Sequence, residues 1–206
     1  MKKLVLSLSV FVLCAITSGA NAYLINPLTI TASDPSTFNG DLNYLTDSSF
    51  PSEWGYWKTN TVWWSPGHTN VPYLDIDLGG TFRITDVVIS VDNNDGYTLD
   101  YLGSGSTWTN AFTIASTMGE VGSGMDTMST KDWEGEYISL IDFAAFETQA
   151  LRLTGVTPSD YNYSVGEIQI FGTEVAPAPV PEPSTLLLLC GGLFCLICYS
   201  RKHIKS

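Results

Sequence analysis

Alternation of apolar and polar residues with a period of two is what most limits the fold of this 206-residue chain. Leu74, Ile76 and Leu78 alternate with Tyr73, Asp75 and Asp77, and Val87, Ile89 and Val91 form a second run with Val88 and Ser90 on its other face. Tyr97, Leu99 and Tyr101 make a third run, and Leu151 with Leu153 a fourth. Ile168 and Ile170 alternate with Glu167, Gln169 and Phe171 before Gly172 closes the last run. Neighbouring side chains on a strand point to opposite faces, so this pattern builds strands rather than helices, whose period is 3.6. Turn chemistry separates the runs at Gly79-Gly80, Asn93-Asn94-Asp95-Gly96, Gly103-Ser104-Gly105, Gly122-Ser123-Gly124 and Pro158-Ser159-Asp160. Only Ile141 to Thr148 has room for a helical turn. Many short strands with Gly-rich turns predict an all-β, antiparallel β-sandwich.

Both ends of the chain differ from this middle. Lys2-Lys3, the apolar stretch from Leu4 to Ile16 and the Ala20-Asn21-Ala22 box read as a signal peptide over residues 1–22, cleaved to leave Tyr23 first. At the other end stand Pro181-Glu182-Pro183, an uncharged run from Thr185 to Tyr199, and Arg201, Lys202, His203 and Lys205. Those 15 residues would span roughly 22 Å as a helix, short of the ~30 Å hydrocarbon core, so flanking residues must help it across. Lys2, Lys3, Arg201 and Lys202 place both ends in the cytoplasm and the middle outside. Residues 173–180 form a linker, and the four prolines from Pro177 to Pro183 keep its end extended. The domain is therefore expected over residues 23–172 and the tail over residues 181–206.

All four cysteines, Cys14, Cys190, Cys195 and Cys198, fall in the signal or the tail. The exported domain thus excludes disulfides and Cys-ligated metals, and Cys195-Leu196-Ile197-Cys198 has no redox fold around it. Between Tyr23 and Val180 stand 20 Asp and Glu against Lys58, Arg83, Lys131 and Arg152. A field of that sign repels nucleic acid and anionic lipid, and supplies carboxylates for calcium. Catalysis finds little support. Asp75 and Asp77 share a strand face as paired glycosidase carboxylates do, but alternation alone explains them as the wet face. His68 is the one exported histidine, and no Gly-x-Ser-x-Gly or His-Glu-x-x-His is present. The expectation is a protein that is not an enzyme.

The tail, with Pro181-Glu182-Pro183, a short membrane segment and a basic end in that order, resembles the PEP-CTERM sorting signal of bacterial surface and exopolysaccharide-associated proteins. The resemblance implies signal peptidase and a membrane exosortase as processing partners, a precursor held transiently in the inner membrane, and a mature protein at the cell surface or in the extracellular matrix.

A second resemblance covers residues 25–172. Leu45-Thr46-Asp47 is followed by the Trp-rich segment Trp57 to Trp64, by Tyr73 to Gly79, by the strand Ile84 to Val91, and by Ala150-Leu151-Arg152-Leu153 and Ser164 to Gly172. This order looks like a discoidin, or coagulation factor 5/8 type C, domain, the galactose-binding jelly roll also found as carbohydrate-binding modules. It implies a jelly-roll sandwich and one structural calcium ion (Ca2+) at the sandwich edge, with Asp47, Ser52 and Glu167 at the matching positions. The chain departs from the family's Asp-Gly-Asn-x-x-Thr loop, having Ser48, Ser49 and Ser52 in place of Gly, Asn and Thr.

It further implies a sugar site in loops at one end, where rings stack on the sugar and polar groups take its hydroxyls. Candidate rings are Trp54, Tyr56, Trp64, His68, Trp108, Trp133, Tyr161 and Tyr163. Trp63 and Trp64 are adjacent and must face opposite ways in a strand, so one is core. Asp92-Asn93-Asn94-Asp95 could hold hydroxyls or be a plain turn; it is not an EF-hand, because Gly96 stands at the fifth position where a ligand belongs. The function expected is carbohydrate binding, of exopolysaccharide or a surface glycan, with no nucleic-acid partner. The alternative is a structural matrix protein without a sugar ligand. Ice binding is more remote, since no regular Thr repeat is present.

Processing is directly testable. Intact mass spectrometry of the surface form, in a host with an exosortase, is expected to find a chain beginning at Tyr23 and lacking everything after Pro181-Glu182-Pro183. Glu182→Ala is expected to leave the protein in the inner membrane.

Overall fold

The computed structural model describes residues 21–26, 28–66, 71–131, 142–157 and 162–176. The signal peptide up to Ala20, the tail, Pro158-Ser159-Asp160, His68, Trp133 and Tyr161 lie outside them. The chain divides after Glu174, and the unit that ends there is the sandwich. Its strands are β1 (Tyr23–Leu24), β2 (Thr29–Ala32), β3 (Phe38–Asn39), β4 (Val62–Trp64), β5 (Tyr73–Asp92), β6 (Gly96–Leu102), β7 (Trp108–Ile114), β8 (Met125–Ser129), β9 (Phe146–Thr157) and β10 (Tyr163–Glu174). A single 3-10 turn, Leu42–Leu45, is capped by Asp41, whose side chain accepts from the Asn43 N–H.

Every pairing is antiparallel, in the order β3-β4-β10-β5-β9-β6-β7, with β1 added on β10 and both β2 and β8 on β5. Strand β5 organises this arrangement. Twenty residues of straight strand would reach about 66 Å, whereas a globule of ~150 residues is only about 40 Å across. The strand must bend, and it does so at Gly79-Gly80. Those glycines were expected to end a strand; instead they carry a bulge, with the register to β9 shifting between Asp77 and Phe82. Gly79 takes φ +73, a left-handed conformation that costs glycine little. Strand β9 follows β5 on both sides of the bend, while β2 pairs with it only before the bend and β10 and β8 only after it. One strand thus belongs to both layers of the sandwich.

The alternation seen in sequence becomes the core. Leu74, Ile76, Leu78, Val87, Ile89, Val91, Leu99, Leu151, Leu153, Ile168 and Ile170 are all buried in one cluster. Their opposite faces differ between the layers. Asp75 on the first half of β5 is half-exposed and forms a bidentate pair with Arg152 of β9, at 2.7 and 2.9 Å. The Arg152 guanidinium also lies 3.6 Å from the centre of the Tyr73 ring and 4.2 Å from that of Trp108. On the second half, Val88, Ser90 and Asp92 are buried as well. The helical turn expected from Ile141 to Thr148 is not formed by its described part: residues 142–145 are irregular and Phe146 begins β9, where its ring stacks on Tyr101 at 4.2 Å.

Gly155 of β9 shows how tightly the layers meet. A Cβ there would fall 2.4 Å from Cδ1 of Tyr163, because the tyrosine ring lies flat on the glycine backbone. Gly155→Ala is expected to cost about 2 kcal/mol by overpacking, lowering the melting temperature by roughly 5 °C. Gly80→Ala, whose Cβ would only touch the Phe82 ring at 3.4 Å, is expected to shift it by less than ~1 °C in a calorimetric comparison.

Candidate functional site

The two most exposed aromatic rings among the described residues sit on the long loop between the 3-10 turn and β4. Trp54 is 65% exposed and Tyr56 62%. The loop is nonetheless pinned. The Trp54 N–H donates to Met125 O at 3.0 Å, the Met125 N–H donates to Gly55 O at 3.1 Å, and the Gly55 N–H closes a turn onto Ser52 O at 2.9 Å. Further along, Trp57 O accepts from the hydroxyls of Ser164 and Thr61. Three non-glycine residues of this loop, Ser48, Trp54 and Asn60, have φ between 55 and 64. Such conformations persist only where surrounding bonds over-determine them, and they favour binding sites. Beside Tyr56 the loop encloses a groove of about 360 Å³ whose lining includes Ser49, Ser52, Thr59 and Asn60. Exposed rings next to hydroxyl and amide groups are what a pyranose needs: an apolar face to stack on and partners for its hydroxyls.

Sequence reasoning missed the rings beside them. Trp57 and Trp63 meet edge to face at 5.5 Å, and Lys58 Nζ lies 4.4 and 4.2 Å from their centroids. Trp63 is thus the outward member of the Trp63-Trp64 pair. Trp64, expected among the ligand rings, is instead fully buried against Phe38, Tyr97 and Tyr163. Alternation fixed that the two differ, but which faces inward is set by the register of β4 on β10, which places Trp64 opposite Tyr163.

Asp92, Asn93 and Asp95 are also buried, at 1%, 4% and 0% exposure. The segment before β8 folds back over them: the Asn93 N–H donates to Gly124 O and its side-chain amide to Val121 O. They offer no open surface to a sugar. Trp108 is half-buried on Arg152. It pairs with Leu102, whereas the Trp54 backbone is bonded to Met125, opposite Asp92 at the start of the turn into β6. Trp54 and Trp108 therefore stand at opposite ends of the β6–β7 hairpin and do not make one site.

At the sandwich edge the fold does bring Asp47 and Glu167 together. Glu167 is 1% exposed, and both its oxygens accept the Ser48 N–H at 3.2 Å, while Gln169 Nε2 donates to one of them at 3.4 Å. Burial pushes its carboxyl above the usual value and the Asp47 charge adds to this, against the pull of the Gln169 and Ser48 bonds. A buried carboxylate beside a second one is an environment that a cation relieves. The void there, about 10 Å³ and bordered by Thr46, Ser48 and Glu167, is close to the space one water occupies. Asp47 is exposed and its Oδ1 accepts the Ser49 N–H at 2.9 Å. Ser52 does not join them. Pro51 packs against Gly166, where a Cβ would meet its ring at 2.3 Å, and the chain carries Ser52 on to the groove beside Tyr56. Among the described residues no three His, Cys, Asp or Glu side chains gather at one point. The residues fit calcium through two carboxylates, with backbone oxygens needed for the rest.

Residues 179–202 match the model of the PEP-CTERM protein-sorting motif. The chain carries a PEP-CTERM sorting tail. No curated protein matches it in sequence. Its sandwich is similar to that of family 32 carbohydrate-binding modules (CBM32). One is the CBM32 of AlyQ in complex with 4,5-unsaturated mannuronic acid, at 16% identity and TM-score 0.48, over 72% of this chain and 98% of that one. Another is the family 32 module from C. perfringens NanJ in complex with galactose, at 12% and 0.48, over 73% and 98%. Truncated AlyQ with CBM32 and alginate lyase domains matches at 19% and 0.48; the PEP-CTERM chain is covered to 80% but spans only 37% of that protein. Likeness of this size concerns the fold alone.

The raised Glu167 carboxyl has a consequence for stability. Its folded value lies above the unfolded one, so between the two the folded state binds more protons. In chelator, the stability of the protein is expected to fall as pH rises through that window. Glu167→Gln, which keeps an acceptor for Ser48, is expected to flatten this part of the profile in urea melts between pH 4.5 and 7.5.

Proposed function

We propose that this PEP-CTERM protein is displayed on the bacterial surface and binds a neutral polysaccharide, exopolysaccharide or cell-wall glycan, through Trp54 and Tyr56. One observation carries the reading: two large rings stand more than 60% exposed on a loop that backbone bonds hold rigid. Leaving a Trp and a Tyr in water on a flexible loop would serve no packing purpose, while a pinned loop pre-organises them for a sugar face and lowers the entropy lost on binding. The excess of carboxylates in the exported region supports a neutral ligand over an acidic one. The tail supports delivery to the surface, where such a polymer is found.

Affinity per site is expected to be weak, about 0.1–1 mM, or about −4 to −5.5 kcal/mol; strength would come from many copies on one polymer. In a glycan array followed by tryptophan-fluorescence titration, Trp54→Ala and Tyr56→Ala are expected to weaken binding at least tenfold. Trp108→Ala is expected to leave it unchanged. Flat titrations against neutral and acidic polymers alike would overturn the reading and leave a structural matrix protein in its place.

Calcium at Asp47 and Glu167 belongs to the same reading, as a brace for the start of this loop. A cation bound only to the folded state adds about 2.7 kcal/mol at a hundredfold excess over Kd, a melting shift of roughly 5–10 °C. Asp47→Ala and Glu167→Ala are each expected to reduce that shift, and Asp75→Ala to preserve it. Magnesium, which prefers a tight octahedron, is expected to substitute poorly; equal shifts from both ions would mean general screening of charge.

A further inference from the structure

A different set of oxygens lies under the segment from Gly119 to Met125. Asp126 of β8 is 1% exposed, and its register opposite Val91 turns it toward the core side of the sheet. Its Oδ2 accepts the N–H groups of Glu120 and Val121 at 2.9 and 3.4 Å, but Oδ1 is buried with no hydrogen-bond partner. Asn93 is 4% exposed; its amide nitrogen donates to Val121 O, and its Oδ1 is buried and unpartnered too. Asn94 Oδ1, the next in the chain, is in the same condition. The Asp126 and Asn93 side chains converge on Gly119. A Cβ on Gly119, which has φ +104, would lie 2.1 Å from Asp126 Oδ2 and 2.6 Å from Asn93 Oδ1. Asp92 and Asp95, both buried, flank the two asparagines in the chain and make the local field more negative.

Two side chains that meet out of water beside Gly119, each with an acceptor oxygen that no donor reaches, lack a positive centre. An unmet buried acceptor costs about 1–3 kcal/mol and a charged one more. We propose that this is a second calcium site, with Asp126 and Asn93 as side-chain ligands. One carboxylate with amide and backbone oxygens makes a site of low charge, so its Kd is about 0.1–1 mM, in the range of extracellular calcium modules. It is distinct from the Asp47–Glu167 site in residues and in position, and stands whether or not that one binds. Its ion would tie the turn after β5 to the segment leading into β8, whose Met125 in turn pins Trp54.

The decisive variant is Asp126→Asn. Its amide oxygen can still accept from Glu120 and Val121, while its NH2 replaces the bare oxygen and can donate to Asn93. With the full-length protein, calcium titration by calorimetry is expected to give two equivalents for wild type and one each for Asp126→Asn and Glu167→Gln. Asp126→Asn is also expected to melt higher than wild type in chelator, yet to gain less from calcium. Two equivalents retained in Asp126→Asn, or none lost between wild type and that variant, would falsify the site. If a water molecule alone bridges the oxygens, Asp126→Asn melts higher by the same margin with and without calcium, which also overturns it. Should the variant fail to fold, wild-type stoichiometry decides together with Glu167→Gln: no calcium left in that variant overturns the second site, and one equivalent left supports it.

Discussion

The ladder between β5 and β10 is the constraint on which the rest of the molecule hangs. It runs from Val165 opposite Val91 to Glu174 opposite Phe82, with two register shifts on the way. Because β5 bends through Gly79-Gly80, the same strand that receives β10 also receives β9 and, through it, β6 and β7. Shift that register by one residue and every apolar side chain of β10 changes face. Ile168 and Ile170 would leave the core, and Glu167 would enter it away from Ser48.

Period and composition make much of this architecture readable in the sequence. Five alternating runs became β5, β6, β9 and β10, two of the runs being the two halves of β5. Gly79-Gly80 was misread because a glycine pair marks both a turn and a bulge, and only the length of strand beyond it tells them apart. Strands β2, β7 and β8 gave little sign of themselves. β8, Met125 to Ser129, is buried at every position, so it lacks the polar face that alternation depends on. Ile141 to Thr148 has the composition for a helical turn, but pairing with β5 makes its last part, Phe146 to Thr148, a strand.

Which candidate rings are exposed was legible only in part. Aromatic surplus pointed to rings in loops, and Trp54 and Tyr56 are such rings. The same surplus included Trp64, which is core, because sequence shows that adjacent residues on a strand differ in direction without showing which is inward. The polar run from Asp92 to Asp95 looked like surface for the ordinary reason that polar residues cluster in turns. Burying it required a second segment to fold over it, and such long-range cover leaves no local trace. The Lys58 stack between Trp57 and Trp63 was similarly hidden, since it joins a loop to a strand through the fold.

The pairing of β1 with the end of β10 fixes where the chain leaves the domain. Tyr23 stands opposite Gly172, and Ile25 N–H donates to Ile170 O, so both ends emerge at the end of β10 near Glu174. The aromatic loop is bonded near its other end, through Ser164 and Glu167. A pull applied between Glu174 and the Trp54 loop would therefore run along β10. Ladder hydrogen bonds lie across the strand direction, so a pull along it loads many of them at once in shear. The same pull at right angles would open them one after another, like a zipper. A load in that direction thus meets this sandwich along its mechanically stiff axis.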